Sequence, residues 1–220
     1  MNPSKFAVII PAYNEELRVG EVVKKALNYT NLVIVVDDGS LDKTANAGKS
    51  AGAIVARHAV NLGKGSALKT GCELAFSLGA EKIIFMDADG QHNPKKIPKF
   101  TELLKRYDVV IGYRALNVKM PFVFRIGNWI ISKAIRILYN LDFEDTQCGF
   151  RAFNKKVYRK IAWESLDYSV ESEIIANVGK YNLKYAAIPI ETIYRDSYKG
   201  TTVFDGITIL ANLLKWKLVR

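Results

Sequence analysis

Two cysteines in 220 residues, Cys72 and Cys148, stand far apart and fit no metal-binding or redox spacing. They read as reduced structural thiols, which points to the cytoplasm. No run approaches the ~18 apolar residues that a bilayer span requires. The opening MNPSKFAVIIPAYNE carries no signal-peptide pattern, because its apolar stretch is short and broken by proline. A protein integral to a membrane is therefore not expected, whereas one lying on a membrane is allowed. Low-complexity runs, internal repeats and Pro/Gly-rich linkers are also missing, so a single domain is expected over residues 1–220. Acidic residues are in deficit: 22 Asp and Glu against 32 Lys and Arg give a formal charge of +10. Such an excess predicts an anionic partner, either nucleotide phosphates, nucleic acid or an acidic membrane surface, with mere solubility as the bland alternative.

What is present is ordinary for a folded globular chain, with 49% hydrophobic and 25% charged residues. Short apolar runs at Phe6–Ile10, Leu32–Val36, Ala53–Ala56, Ile83–Met86 and Val109–Ile111 read as strands buried on both faces. Between them, Glu16–Leu27, Leu41–Ala51, Gly65–Leu78 and Lys95–Lys105 carry helical spacing, and Pro94 suits a helix start. Alternation of this kind predicts an α/β fold with a mostly parallel central sheet flanked by helices. Ligands in such sheets collect at the carboxyl ends of the strands.

The second half differs. Over Pro121–Leu141, one amphipathic stripe contains Phe122, Ile126, Trp129, Ile130, Ala134, Ile137, Leu138 and Leu141. Near the C-terminus, Ile207, Leu210, Leu214 and Leu218 repeat the pattern beside Lys215, Lys217 and Arg220. Each helix alone reads as core packing. Two together, both basic and aromatic, make interfacial membrane contact a rival.

Four polar clusters fall at strand ends. Pro11-Ala12-Tyr13-Asn14-Glu15 offers a ring to stack on a base and a carboxylate to accept from it, although a turn with a helix cap would look similar. Asp37-Asp38-Gly39-Ser40 holds more acid than a cap requires, with Ser40 able to cap a helix at Leu41. Asn61-Leu62-Gly63-Lys64-Gly65-Ser66 fails the Walker A register, because position 58 is His and Gly65 follows the lysine. It remains a basic loop entering a helix N-terminus, a candidate anion site. In FMDADGQH, Asp87, Asp89 and Gln91 form a hard-oxygen set suited to Mg²⁺ or Mn²⁺, with diphosphate oxygens completing the shell. A solvated turn is the alternative. An EF-hand is excluded, since Gly90 stands fourth from Asp87 and not sixth. Together the clusters suggest one crevice holding a nucleotide and a metal.

Taken in order, VIIPAYNE, VVDDGSLDKT, NLGKGSALKTG, MDADGQH, VIGYR and DTQCGFRAF resemble the inverting family-2 glycosyltransferases of the GT-A fold. The resemblance is closest to the dolichyl-phosphate mannose or glucose synthase branch and runs from residue 8 to about 153. It implies that Pro11, Tyr13 and Glu15 hold the nucleotide base, with Val36 and Asp38 beside it. Asp87 and Asp89 match the family's Asp-x-Asp motif, which with Gln91 would ligate the metal on the donor diphosphate. Arg114 matches an arginine facing the phosphates, and Arg125 and Ser132 lie in the segment that meets the lipid phosphate. Arg195 and Lys199 correspond to a late basic pair closing over the donor. That pair departs from the branch pattern Arg-x-Gly-x-Ser-Lys, being one residue shorter and lacking the glycine.

The implied reaction is transfer of a hexose from GDP-mannose, UDP-glucose or UDP-N-acetylglucosamine to dolichyl or another polyprenyl phosphate, with inversion. Residues 1–118 would form the nucleotide-sugar half and 119–220 the acceptor- and membrane-facing half. The branch often carries transmembrane helices and this sequence has none, so attachment to the cytoplasmic face would fall to the amphipathic helices. A phosphate acceptor is mostly ionised near neutral pH, with a second pKa of about 6, and needs cations more than a base. A sugar-hydroxyl acceptor would need one, and Asp145 is the candidate, read here as structural. The Gln-x-x-Arg-Trp motif of processive polymer synthases is missing. A haloacid-dehalogenase-type phosphatase also has Asp-x-Asp after a strand but places Thr or Val where Gln91 stands. Nucleic acid is not an expected partner, since no binding motif interleaves aromatics with the basic residues.

Overall fold

The computed structural model describes residues 6–114, 122–167, 169–191 and 203–218, the side chains of 122–125 and 203–205 excepted. The elements in chain order are β1 (Phe6–Ala12), α1 (Val19–Leu27), β2 (Val33–Asp37), α2 (Thr44–Ser50), β3 (Ile54–Arg57), α3 (Lys64–Ser77) and β4 (Lys82–Phe85). A 3₁₀ turn at Pro94–Lys96 then leads into α4 (Ile97–Leu103), β5 (Val109–Arg114) and α5 (Phe122–Tyr139). The rest is β6 (Arg151–Asn154), α6 (Tyr158–Ile161), α7 (Val170–Lys180), β7 (Tyr185–Ile190) and α8 (Val203–Leu218).

The seven strands form one sheet in the order β3-β2-β1-β4-β6-β5-β7. All neighbours are parallel except β6, which runs antiparallel to both β4 and β5. Because side chains alternate along a strand, the uninterrupted Val/Ile runs feed two cores. Ala7, Ile9, Ile34, Val36 and Ile83 pack on one face with α3, α5, α7 and α8. Val8, Ile10, Val33, Val35 and Ile84 pack on the other with α1 and α4. Each such side chain contributes about 1.5–3 kcal/mol when fully buried.

Several sequence expectations change. β3 is an edge strand whose Ile54 is exposed, so it is not buried on both faces. α2 begins at Thr44, three residues beyond the expected Leu41, and Ser40 does not cap it. Instead Asp42 Oδ1 accepts from Thr44 N at 2.9 Å, and Ser40 Oγ accepts from Asn14 N at 2.9 Å. On α5 the core face is Ile131, Ile135 and Tyr139, while Ile126, Trp129, Ile130 and Ile137 of the expected stripe are exposed. α8 likewise buries Ile209 and Leu213 and exposes Ile207, Leu214 and Leu218. Both cysteines are free and buried, as the spacing predicted.

Candidate active site

Strand order decides where the polar clusters meet. From β1 the chain builds outward through β2 to β3, then returns to place β4 on the other side of β1. The gap between the carboxyl ends of β1 and β4 is thus a topological switch point, where a crevice opens in sheets of this kind. The segments after β1, β2 and β4 flank it, and α3 starts from the same edge. Since β6 is antiparallel, the residues leading into Arg151 arrive there as well.

On the β1–β2 side, Tyr13 is exposed and Glu15 is buried. Asn14, in the left-handed region at φ 54°, turns the chain so that Glu15 N donates to Thr44 Oγ1 at 2.8 Å. Glu15 Oε2 in turn accepts from Arg18 Nη1 at 3.1 Å. Pro11, one residue before the end of β1, is half-buried, whereas the Val36 side chain is sealed in the core. Asp38 is buried with both oxygens engaged: Oδ1 accepts from Leu62 N at 2.9 Å and meets His58 Nδ1 at 2.7 Å, and Oδ2 accepts from Gly63 N at 2.8 Å. Asp37 accepts from Ser40 N through Oδ1. Its buried Oδ2 lies 3.2 Å from Arg57 Nε without a well-directed hydrogen bond.

The basic loop is not an amide cradle for an anion. The Leu62 and Gly63 amides go to Asp38, and Gly65 N donates to Leu166 O at 2.8 Å. Lys64 instead sends its ammonium across the crevice, 2.7 Å from Asp87 Oδ1 and 2.7 Å from Glu171 Oε1. Burial alone would lower the Lys64 pKa, but the two carboxylates outweigh it and raise it.

Asp87 and Asp89 occupy different electrostatic settings. Burial pushes Asp87 up, yet Lys64, His92 and Arg114 together outweigh it and hold the carboxyl at about 2. Burial and then the Asp87 charge push Asp89 up to about 6, against the amide of Gln91, which donates to Asp89 Oδ1 at 2.9 Å. His92 is stacked on Phe150 with centroids 5.1 Å apart, and burial depresses its pKa to about 4. It accepts from Asp87 N at 3.1 Å through Nδ1, so the neutral ring carries its proton on Nε2, 3.5 Å from Asp87 Oδ2. Gly149 closes the other side: a Cβ there would lie 2.6 Å from Asp87 Oδ2.

This donor set fits a divalent cation. Two carboxylates crowd one crevice, and burial together with the Asp87 charge raises Asp89, a cost that a bound cation would relieve. Among the described residues no group of three or more His, Cys, Asp or Glu side chains is gathered for a metal. The protein would thus supply the Asp87 and Asp89 carboxylates, leaving other positions to ligand oxygens, water or the expected Gln91. The one Gln91 hydrogen bond found in this loop is made by its backbone, not its side chain.

At the end of β5, Arg114 forks onto Asp145, with Nε 2.6 Å from Oδ2 and Nη2 3.1 Å from Oδ1. Asp145 is fully buried and also accepts from Arg114 N, Asn128 Nδ2 and Gln147 N. Burial would raise its pKa, but Arg114 prevails and lowers it. On α5, Ser132 is buried one turn beyond Asn128, and its hydroxyl has no hydrogen-bond partner. Arg125 lies in the first turn of α5, with its side chain outside the described residues. Arg195 and Lys199 also lie outside them.

Sequence reasoning missed Glu171, His92, Asn128 and Arg151, and did not single out Lys64 within its loop. Arg151, buried on β6, donates to Cys148 O, Thr146 O and Glu171 O, tying the 146–148 loop to α7. The signal was present in two places: a lysine between two glycines, and two glutamates opening an otherwise apolar helix.

A doubly flanked α/β sheet with an Asp-x-Asp crevice at its switch point defines the GT-A glycosyltransferases, and this molecule has that fold. It superposes on the crystal structure of glucosyl-3-phosphoglycerate synthase from Mycobacterium tuberculosis in complex with Mg²⁺ and UDP. The TM-score is 0.79 at 18% identity, covering 99% of this chain and 80% of that one. Residues 7–162 match the model of Glycosyl transferase family 2, and the chain belongs to that family. A relative named UDP-N-acetylglucosamine–dolichyl-phosphate N-acetylglucosaminyltransferase, from Methanococcus voltae, is 33% identical over 96% of this chain and 95% of its own length. An uncharacterised protein of Methanocaldococcus jannaschii is 40% identical over 99% of this chain and 94% of its own. The dolichol-phosphate mannosyltransferase of Pyrococcus furiosus is 29% identical over 97% of this chain and 64% of its own.

Proposed function

We propose that this glycosyltransferase moves a hexose, with inversion, from a nucleotide diphosphate sugar to dolichyl or another polyprenyl phosphate at a membrane surface. The observation that carries the acceptor class is the state of Asp145. Its carboxylate is sealed from solvent, and five donors hold it. Asp145, the sequence's candidate for deprotonating a sugar hydroxyl but read there as structural, is thus committed to its own hydrogen bonds, which supports the structural reading. A phosphate acceptor, already ionised, needs no base. The M. voltae and P. furiosus relatives, whose names specify dolichyl phosphate acceptors, support the same reading.

In this reading Tyr13 stacks on the base, with Pro11, Glu15 and the backbone at Val36 and Asp38 around it. Asp87 and Asp89, with Gln91, hold Mg²⁺ or Mn²⁺, which when bound offsets the charge of the departing diphosphate. Arg114, fixed by Asp145, and Arg195 add positive potential at the phosphates, with Lys199 closing over the donor; groups of this kind are each worth about 10²-fold or more in rate. Arg125 and Ser132 receive the acceptor phosphate. Ser132's unpartnered hydroxyl supports that assignment, because a buried polar group without a partner carries a cost that a ligand would relieve.

The test is a panel of GDP-mannose, UDP-glucose and UDP-N-acetylglucosamine with short polyprenyl phosphate and Mg²⁺ or Mn²⁺, with glycolipid read by mass spectrometry. One donor is expected to give product, and EDTA or Asp89→Asn is expected to reduce turnover at least about 10²-fold. Undiminished turnover in EDTA contradicts the metal assignment, and product only with a hydroxyl acceptor contradicts the lipid one.

A further inference from the structure

We propose that Lys64 is a resident cation shared by Asp87 and Glu171, and that it yields Asp87 to a divalent ion by swinging wholly onto Glu171. The inference rests on the metal reading above and adds to it two residues, one from α3 and one from α7. The ammonium sits midway, 2.7 Å from each carboxylate. Glu171 has an unused acceptor to offer it. Its Oε2 is buried with no hydrogen-bond partner, although Oε1 is occupied by the lysine.

The backbone on both sides of Lys64 is held, so any exchange between the two carboxylates runs through its side chain. Gly63 N is held by Asp38 and Gly65 N by Leu166 O, one on each side of the lysine. Glu171 is fixed as firmly, since Arg151 Nη1 donates to its backbone carbonyl. The next residue, Ser172, accepts from Gln147 Nε2 at 2.8 Å. A four-carbon stem rotating about this base exchanges one carboxylate for two contacts to the other.

Charge balance supplies the direction. Buried charges are tolerated when paired. With no ion bound, Lys64 neutralises Asp87. With one bound, lysine and ion would repel each other across the same carboxylate, and Glu171 receives the displaced ammonium. No buried carboxylate or ammonium is left alone in either state. Glu171 is thus a positioning residue for the metal site without being one of its ligands.

The experiment titrates Mn²⁺ into the full-length protein, followed by the EPR signal of free Mn²⁺, with saturating UDP in one series and GDP in another. Glu171→Gln keeps the shape of the side chain but removes the second anionic seat, which leaves Lys64 on Asp87. Its Mn²⁺ affinity should fall roughly tenfold, in the range typical of residues that support metal ligands. Lys64→Met removes the competitor and should tighten Mn²⁺ binding. A purely structural role would weaken binding in both variants. Equal Mn²⁺ affinity in wild type and Glu171→Gln overturns the inference and leaves the metal reading intact, as does weaker binding in Lys64→Met. Wild type that takes up no Mn²⁺ with either nucleotide overturns both together. Circular dichroism checks folding, and if Lys64→Met does not fold, Lys64→Gln, which removes the charge but keeps a polar group between the two carboxylates, takes its place with the same expected tightening.

Discussion

Arg114, itself partly exposed, is tied to the fully buried Asp145. Its Nε and Nη2 are both committed to one carboxylate, so its orientation toward the crevice is set by a residue 31 positions away. Removing one partner of a buried ion pair leaves the other unpaired, a cost of about 3–5 kcal/mol. Asp145→Asn should therefore lower unfolding stability by about 3 kcal/mol in a urea titration. If it acted only as a base, stability would be unchanged. The pH dependence follows from the lowered Asp145 pKa. Its stabilising effect is fully present above the unfolded value of about 3.9. That effect is lost as acid carries the folded carboxylate through its lower pKa. Wild type should lose stability on acidification, and the asparagine variant should lose less.

The glycines around Lys64 show how an element can be misread and still be placed correctly. NLGKGS looks like a phosphate loop, yet its glycines serve close packing of α3 against residues 165 and 166. Gly63 has φ +91°, and a Cβ there would overlap the Leu166 carbonyl; one at Gly65 would overlap Ser165 O. Gly65→Ala, with its Cβ 2.0 Å from a backbone oxygen, should cost about 3 kcal/mol or more as overpacking. Gly79→Ala, at φ +87° but with open space around it, should cost only the strain of a left-handed residue, about 1–2 kcal/mol. A thermal melt that ranks Gly79→Ala as the worse variant would contradict this. Most of the parallel sheet was legible because buried Val/Ile runs carry their own signal. β6 was not: four residues long and antiparallel, it owes its place to pairing with β4 and β5 across the chain. The Asp-x-Asp loop was legible as a local motif. Glu171 was not, since its partner Lys64 lies 107 residues earlier and only the fold joins them.

At the scale of the whole molecule, α5 and α8 are apolar on two faces, and only one of them is covered. Tyr139 donates its hydroxyl to Leu213 O at 2.8 Å, locking the inner faces together over the core. The outer faces expose Trp129, at 55%, and Ile137, at 74%, beside Ile207, Leu214 and Leu218. Lys133 lies 5.1 Å over the Trp129 ring, and Arg136, Lys215 and Lys217 are exposed nearby in sequence. No helix among the described residues is long and apolar enough to cross a membrane. An apolar face bordered by cations instead suits the headgroup boundary, where apolar burial and attraction to anionic lipid add. Each basic residue near an anionic surface adds about 1 kcal/mol, and a buried Trp or Ile about 1.5–3 kcal/mol. Sedimentation with vesicles containing phosphatidylserine should therefore recover the protein at low salt and less of it at high salt, as screening shortens the reach of the charges. Trp129→Ala combined with Ile137→Ser should weaken vesicle binding at least about tenfold, since every 1.4 kcal/mol lost is one decade. Because both side chains point away from the core, melting should be nearly unchanged. Equal sedimentation of variant and wild type would rule this face out as the membrane contact.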